Sequence, residues 1–273
     1  MTVAISAKVH AGLILGADSA STMITRDASG NNGVLNVYNN ANKVFNLVKG
    51  LPVGAISWGA GSIGSSSIET LFKDFRAANP AEEIRSHYSV KGLAEKFTDF
   101  LYKEKYQPTF SAWKDPPALG FLIAGYSPAS GYAEEYNVFI TGNSISGPAL
   151  ARGPEECGLS WNGEPEAISR LYLGFSPQLP QVAANALNLK PDDLTKLLNA
   201  LRLQLNSSMI APAMPIKDAI DLVDFLIRTT IDYSRFTPGA PTVGGPIEIA
   251  AITKHEGFRW IKRKHYFDSE LNP

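Results

Sequence analysis

Apolar positions in the first sixty residues come in unbroken runs or at every second place, as in strands buried on one or both faces. Thr2 to Val9 and Gly12 to Asp18 read as a hairpin turning at Ala11-Gly12. The polar, Asn- and Gly-rich stretch from Thr25 to Asn42 reads as an extended loop with a short strand at Val34 to Tyr38. Lys43 to Val48 and Pro52 to Trp58 form a second hairpin around Lys49-Gly50-Leu51. At Ser66 the period changes: Ile68, Leu71, Phe72 and Phe75 share one helix face, and Leu93, Phe97, Phe100 and Leu101 do so over Val90 to Lys105. Strands return at Leu119 to Gly125 and Tyr132 to Ile140. Helices are predicted over Asp192 to Leu205, after Pro191, and over Ile216 to Tyr233, whose dense apolar positions predict deep packing. A final strand over Ile247 to Thr253 pairs with a partner around Phe258 to Ile261. Strands, two helices, strands, two helices, strands: two antiparallel sheets stacked between helical layers satisfy that order, an α+β arrangement.

The chain of 273 residues is long enough for a substantial core. With 44% hydrophobic and 19% charged residues it is an ordinary globular composition. The Pro- and Gly-rich stretches 142–165 and 236–246 are too short for interdomain linkers. We therefore expect one domain over 1–273, with a loop-rich insert around 143–191. A formal charge of -1 gives no sign of nucleic acid or a membrane surface as partner. The one basic cluster, Lys262-Arg263-Lys264-His265, reads as a solvated face. No signal peptide or spanning run is visible, so the expected location is cytoplasmic.

Much chemistry is excluded by residue type and spacing. One cysteine, Cys157, rules out an internal disulfide and cysteine-based metal sites. The four histidines lie at no ligand spacing, and no metal or cofactor is expected. The acidic pairs Glu82-Glu83, Glu134-Glu135, Glu155-Glu156 and Asp192-Asp193 are adjacent residues, whose side chains diverge, so they do not form a glycosidase-like pair. Gly59 to Gly64 matches G-x-G-x-x-G, yet no acidic residue follows on a second strand at the dinucleotide-binding distance.

The chain start offers something positive. Met before a small residue is the usual substrate for removal of the initiator residue, and its loss leaves Thr2 with a hydroxyl and a free α-amine. That amine, with an ordinary pKa of about 7.7 to 8, can serve as base to the weak hydroxyl nucleophile beside it.

With Thr2, Gly16-Ala17-Asp18-Ser19 and Lys43, the chain resembles the N-terminal-nucleophile hydrolases, specifically proteasome β-type subunits and their bacterial homologues. Asp18 lies sixteen positions after Thr2, Lys43 opens a later strand, and Gly244-Gly245 precedes the final hairpin. The resemblance implies a four-layer αββα sandwich. It implies Thr2 as nucleophile and base, Lys43 as a cation lowering the hydroxyl's pKa, and Asp18 as the holder of Lys43. Gly59, with Gly61 as second choice, would supply oxyanion-binding backbone N–H. Ser21 and Thr22 would line the substrate rim and Ala20 would shape the specificity pocket.

The implied function is a threonine peptidase acting on peptides or unfolded proteins within a homo-oligomeric ring or helical assembly. Two alternatives stay open, a non-catalytic ring or scaffold subunit and an amidase for a small amide. The first draws on one departure: where the family carries Asp-x-x-Ser before Gly-Gly, this chain has Ala240-Pro241-Thr242-Val243, and Trp161-Asn162-Gly163-Glu164 replaces its Ser-Gly-Ser.

Overall fold

A computed structural model describes residues 2–26, 32–128 and 130–266. The protein is mixed α+β with antiparallel sheets. The strands are β1 (Val3–Val9), β2 (Gly12–Ala17), β3 (Ser21–Arg26), β4 (Asn32–Tyr38), β5 (Val44–Asn46), β6 (Val53–Gly59), β7 (Ser62–Ile63) and β8 (Ser66–Ser67). Helices α1 (Ile68–Ala77), α2 (Ala81–Ile84), α3 (Val90–Thr98) and α4 (Gln107–Phe110) follow. Then come β9 (Leu119–Gly125), β10 (Glu134–Thr141), β11 (Ser144–Leu150), β12 (Gly158–Gly163), α5 (Glu166–Tyr172), α6 (Leu179–Leu187), α7 (Pro191–Leu205), α8 (Ile216–Phe236), β13 (Glu248–Thr253) and β14 (Gly257–Lys262). One five-stranded sheet runs β12-β1-β2-β13-β14 and the other β11-β10-β9-β6-β5.

The unbroken apolar runs of β1 and β2 have a direct cause: both faces are buried. Val3, Ile5, Ala7 and Val9 pack with Val223, Leu226 and Ile227 of α8. Ala4, Leu13, Leu15 and Ala17 turn the other way, to Val44, Ile56, Leu122 and Ala124 of the second sheet. Beyond that sheet, Phe72 and Phe75 of α1 and Phe97 of α3 pack on Phe45 and Phe121. Phe45 and Phe72 stack at 3.9 Å, and Phe97 meets Phe121 edge-on at 5.1 Å. Gly16 lets α8 lie close on β2, since a Cβ there would fall 2.6 Å from Val223 Cγ1.

Several expectations need correction. The stretch 143–191 is no loop-rich insert: β11 and β12 are the edge strands of the two sheets, and α5 and α6 follow. Gly147, Pro148, Gly153, Pro154 and Gly158 broke the apolar alternation, and edge strands tolerate such residues. Within 25–42 the short strand expected at Val34 to Tyr38 is present as β4, but it pairs with β3 as a separate two-stranded hairpin instead of lying alone in an extended loop. The hairpin's apolar positions, Ile24 and Leu35 among them, are exposed, so no buried face marked out its first strand, β3. The helix at Val90 runs on through a π-helical stretch, Asp99–Tyr106, to Phe110. Helix α8 is packed on one stripe only, with Phe225 about half exposed. The basic cluster is largely engaged: Lys262 Nζ lies 2.6 Å from Asp224 Oδ1, Lys264 Nζ 2.8 Å from Glu248 Oε2, and Arg263 covers Trp260.

A polar link joins the sheets away from their apolar centre. Ser6 Oγ on β1 donates to Glu135 on β10, which is fully buried, and Arg152 Nε lies 2.7 Å from Glu135 Oε2. Lys8 Nζ donates to Gly153 O at 3.0 Å, and burial chiefly lowers its proton affinity. Among the described residues no helix is long and apolar enough to cross a membrane.

Candidate active site

Asp18 sits one residue beyond β2 and organises everything near it. Its carboxylate is fully buried, and a buried charge needs partners. Oδ2 accepts backbone N–H bonds from Ala20 and Gly244, each at 3.0 Å. Oδ1 accepts from Val3 N–H at 3.0 Å and from Lys43 Nζ at 2.7 Å. A single oxygen therefore holds both the residue next to Thr2 and the lysine. The contact also runs in reverse, since Asp18 N–H donates to Val3 O at 3.2 Å.

Thr2 is itself pinned by its carbonyl, which accepts Glu164 N–H at 2.7 Å, and it is 5% exposed. Lys43, 7% exposed, is fixed through its own carbonyl, which accepts Ser57 N–H of β6 at 3.0 Å. Burial is the main cause holding the Lys43 ammonium below the ordinary lysine range, and repulsion from Lys264 adds to it. Asp18, by charge and by hydrogen bond, opposes both.

Thr2, Lys43 and Gly59 line one cleft of about 740 Å³, together with Ala20, Ser21, Thr22 and Gly61. Every site residue expected from sequence thus borders this cleft except Asp18, which holds Lys43 from beneath. Gly59 ends β6 at φ +87°, where a Cβ would strike Ala118 O at 2.4 Å, so glycine is required there. Ser21 Oγ lies over Gly61, 3.0 Å from where a Cβ would be, and Gly61 O accepts Ile68 N–H at the start of α1. Among the described residues that line the cleft, Lys43 alone carries a charged side chain.

Sequence reasoning missed the cleft's aromatic wall. Phe110 and Trp113 meet edge-on at 5.1 Å, with Trp113 more than half exposed, and Pro117 and Ile24 stand nearby. Only the π-helical continuation past Lys105 brings Phe110 to this place. Lys264 was missed as well, and its ammonium donates to Ser19 Oγ at 2.7 Å and Ala41 O at 3.0 Å.

The Gly244-Gly245 pair lies against Asp18, where Gly244 O also accepts Ser19 N–H at 2.9 Å. Before it, the Thr242 hydroxyl is buried without a hydrogen-bond partner among the described residues. Met1, whose removal the sequence predicts, lies outside the described residues. Among those residues no group of three or more His, Cys, Asp or Glu side chains is arranged to hold a metal ion. The sequence matches no protein-family profile, and no curated protein matches it.

Proposed function

We propose that this chain is a threonine-type N-terminal-nucleophile hydrolase, a peptidase built as one domain on the four-layer αββα plan of the proteasome β-type subunits. The supporting observation is the buried Asp18 carboxylate that binds Val3 N–H and Lys43 Nζ through the same oxygen, beside a cleft that both Thr2 and Lys43 line.

Removal of residue 1 frees the Thr2 amine, which takes the hydroxyl proton as the hydroxyl oxygen attacks a peptide carbonyl. The Lys43 ammonium favours the developing alkoxide by its charge. Backbone N–H at Gly59 receives the oxyanion of the tetrahedral intermediate, and the protonated amine then passes its proton to the leaving nitrogen. The acyl group rests as an ester on Thr2 until water hydrolyses it by the reverse proton path. The cleft with its aromatic wall suits a large apolar side chain on an extended peptide. Assembly into a homo-oligomeric ring or helical array, and a cytoplasmic location, belong to the same reading.

The test combines mass spectrometry with one variant. The expected results are a mature chain beginning at Thr2, a covalent adduct from a peptide epoxyketone or vinyl sulfone, and loss of at least about a thousandfold in hydrolysis for Thr2→Ala. A Thr2→Ala protein with full activity ends the proposal.

One observation favours the scaffold reading. Ala240 to Val243 place no carboxylate before Gly244, and the buried Thr242 hydroxyl has no partner among the described residues. An intact Met1 with no adduct would select that reading.

A further inference from the structure

Asp18 and Lys43 stand on short segments, 18–20 and 41–43, that neither five-stranded sheet includes. Backbone bonds hold Asp18 to Val3 of β1 and Lys43 to Ser57 of β6, but no strand pairing joins one segment to the other. One backbone bond joins the segments, Ala41 N–H to Ser19 O at 2.9 Å. The second tie is Lys264, from the chain just past β14. Its ammonium donates to Ser19 Oγ at 2.7 Å and to Ala41 O at 3.0 Å, and lies 2.8 Å from Glu248 Oε2 on β13. Ser19 Oγ in turn donates to Pro246 O at 2.6 Å, which ties the same point to the Gly244-Gly245 segment. Two acceptors take ammonium hydrogens, and the Glu248 carboxylate stands at ion-pair distance. The side chains of Lys264 and Glu248 are only 12% and 2% exposed, and a buried ion pair is an expensive way to fill space.

We propose that Lys264, backed by Glu248, is a positioning residue that clamps Ser19 to Ala41 and so sets the Asp18–Lys43 pair against Thr2. This rests on the hydrolase reading of the cleft. The clamp carries charge as well as shape. Asp18 is in direct contact with Lys43, whose charge Lys264 also repels; Lys264 in turn pairs with Glu248 on β13, and its charge also favours the ionised form of Glu69 on α1. Repulsion from Lys264 thus joins burial in easing the proton off Lys43.

The experiment compares the full-length wild type with Lys264→Met, with the paired Lys264→Met/Glu248→Gln variant that leaves no lone buried charge, and with Lys264→Arg. Thermal melting checks folding. Peptide hydrolysis gives kcat, KM and their pH profiles, and carbon-13 NMR of the lysine Cε follows the titration of Lys43, identified by its loss in Lys43→Arg. With the clamp removed, kcat should fall roughly tenfold to a hundredfold with KM changed by less than about twofold, the effect of a displaced catalytic pair. The alkaline limb and the Lys43 titration should both move to higher pH, and Lys264→Arg should restore the titration and most of kcat. Folded variants whose Lys43 titration and kcat match the wild type overturn the proposal. If the wild type hydrolyses no peptide, the hydrolase reading fails separately. The NMR titration then decides the clamp alone: upward movement supports it, and no movement overturns it.

Discussion

At the scale of single residues the site turns on one carboxylate oxygen. Asp18 Oδ1 accepts from both Val3 N–H and Lys43 Nζ, so the strand that presents Thr2 and the strand that follows Lys43 share an anchor. The contact has a measurable consequence in pH. Burial first, and Lys264 second, hold Lys43 below the ordinary lysine value of 10.5, with Asp18 opposing. On the proposed hydrolase reading, the charged form is the one that supports the Thr2 alkoxide. Activity on a peptide substrate should therefore fall with rising pH before 10.5 is reached, and rise on the acid side as an α-amine of pKa about 7.7 to 8 loses its proton. A kcat/KM profile measured from pH 6 to 11 checks both limbs. An alkaline limb at or above 10.5 contradicts the assignment to Lys43.

At the scale of elements, close approach between β2 and α8 carries the first sheet. A methyl added at Gly16 would sit 2.6 Å from Val223 Cγ1 and 2.8 Å from Ile227 Cδ1. Both are side chains of a tightly packed helix stripe with little room to move. Gly16→Ala should cost about 1 to 3 kcal/mol of overpacking, read as a lower urea midpoint with an unchanged slope. Helix α1 shows the opposite case, a local signal that worked. Ser67 caps it by accepting Thr70 N–H at 3.1 Å, and Ile68, Leu71, Phe72 and Phe75 are all buried, as their spacing predicts. The strands β11 and β12 escaped notice because each pairs on one side only, and their glycines and prolines suit edge positions.

At the scale of the whole molecule, the sheets are joined by an apolar layer and by buried charges, Asp18 with Lys43 at the cleft and Glu135 with Arg152 elsewhere. Arg152 lies 2.7 Å from a Glu135 carboxylate with no solvent exposure. Arg152→Met leaves that carboxylate short of a partner and should destabilise the protein by about 3 kcal/mol, and adding Glu135→Leu should recover much of the loss. Denaturant melts of the two variants decide this. Alkaline stability follows from Tyr136, whose pKa is raised to about 12, by burial first and then by its hydrogen bond to Glu134. The folded state holds that proton more tightly than the unfolded chain does. Its contribution is complete below pH 10, the ordinary tyrosine value, and is lost as pH rises toward 12. Stability measured across pH 9 to 12 should decline less steeply in Tyr136→Phe.

The sequence by itself determined the alternation of strands and helices, the first two hairpins and the apolar face of helix α1, while Asp18, Lys43 and Gly59 were pointed to by the resemblance to N-terminal-nucleophile hydrolases. The elements follow from local signals, hydrophobic period and the turn residues that interrupt it. Tertiary structure alone decided that one Asp18 oxygen joins Val3 to Lys43, that Phe110 and Trp113 wall the cleft, and that Lys264 reaches Ser19 from 245 positions away. Contacts of that kind form between groups that no periodicity relates. They exist because buried charges must find partners wherever the packed sheets happen to bring them.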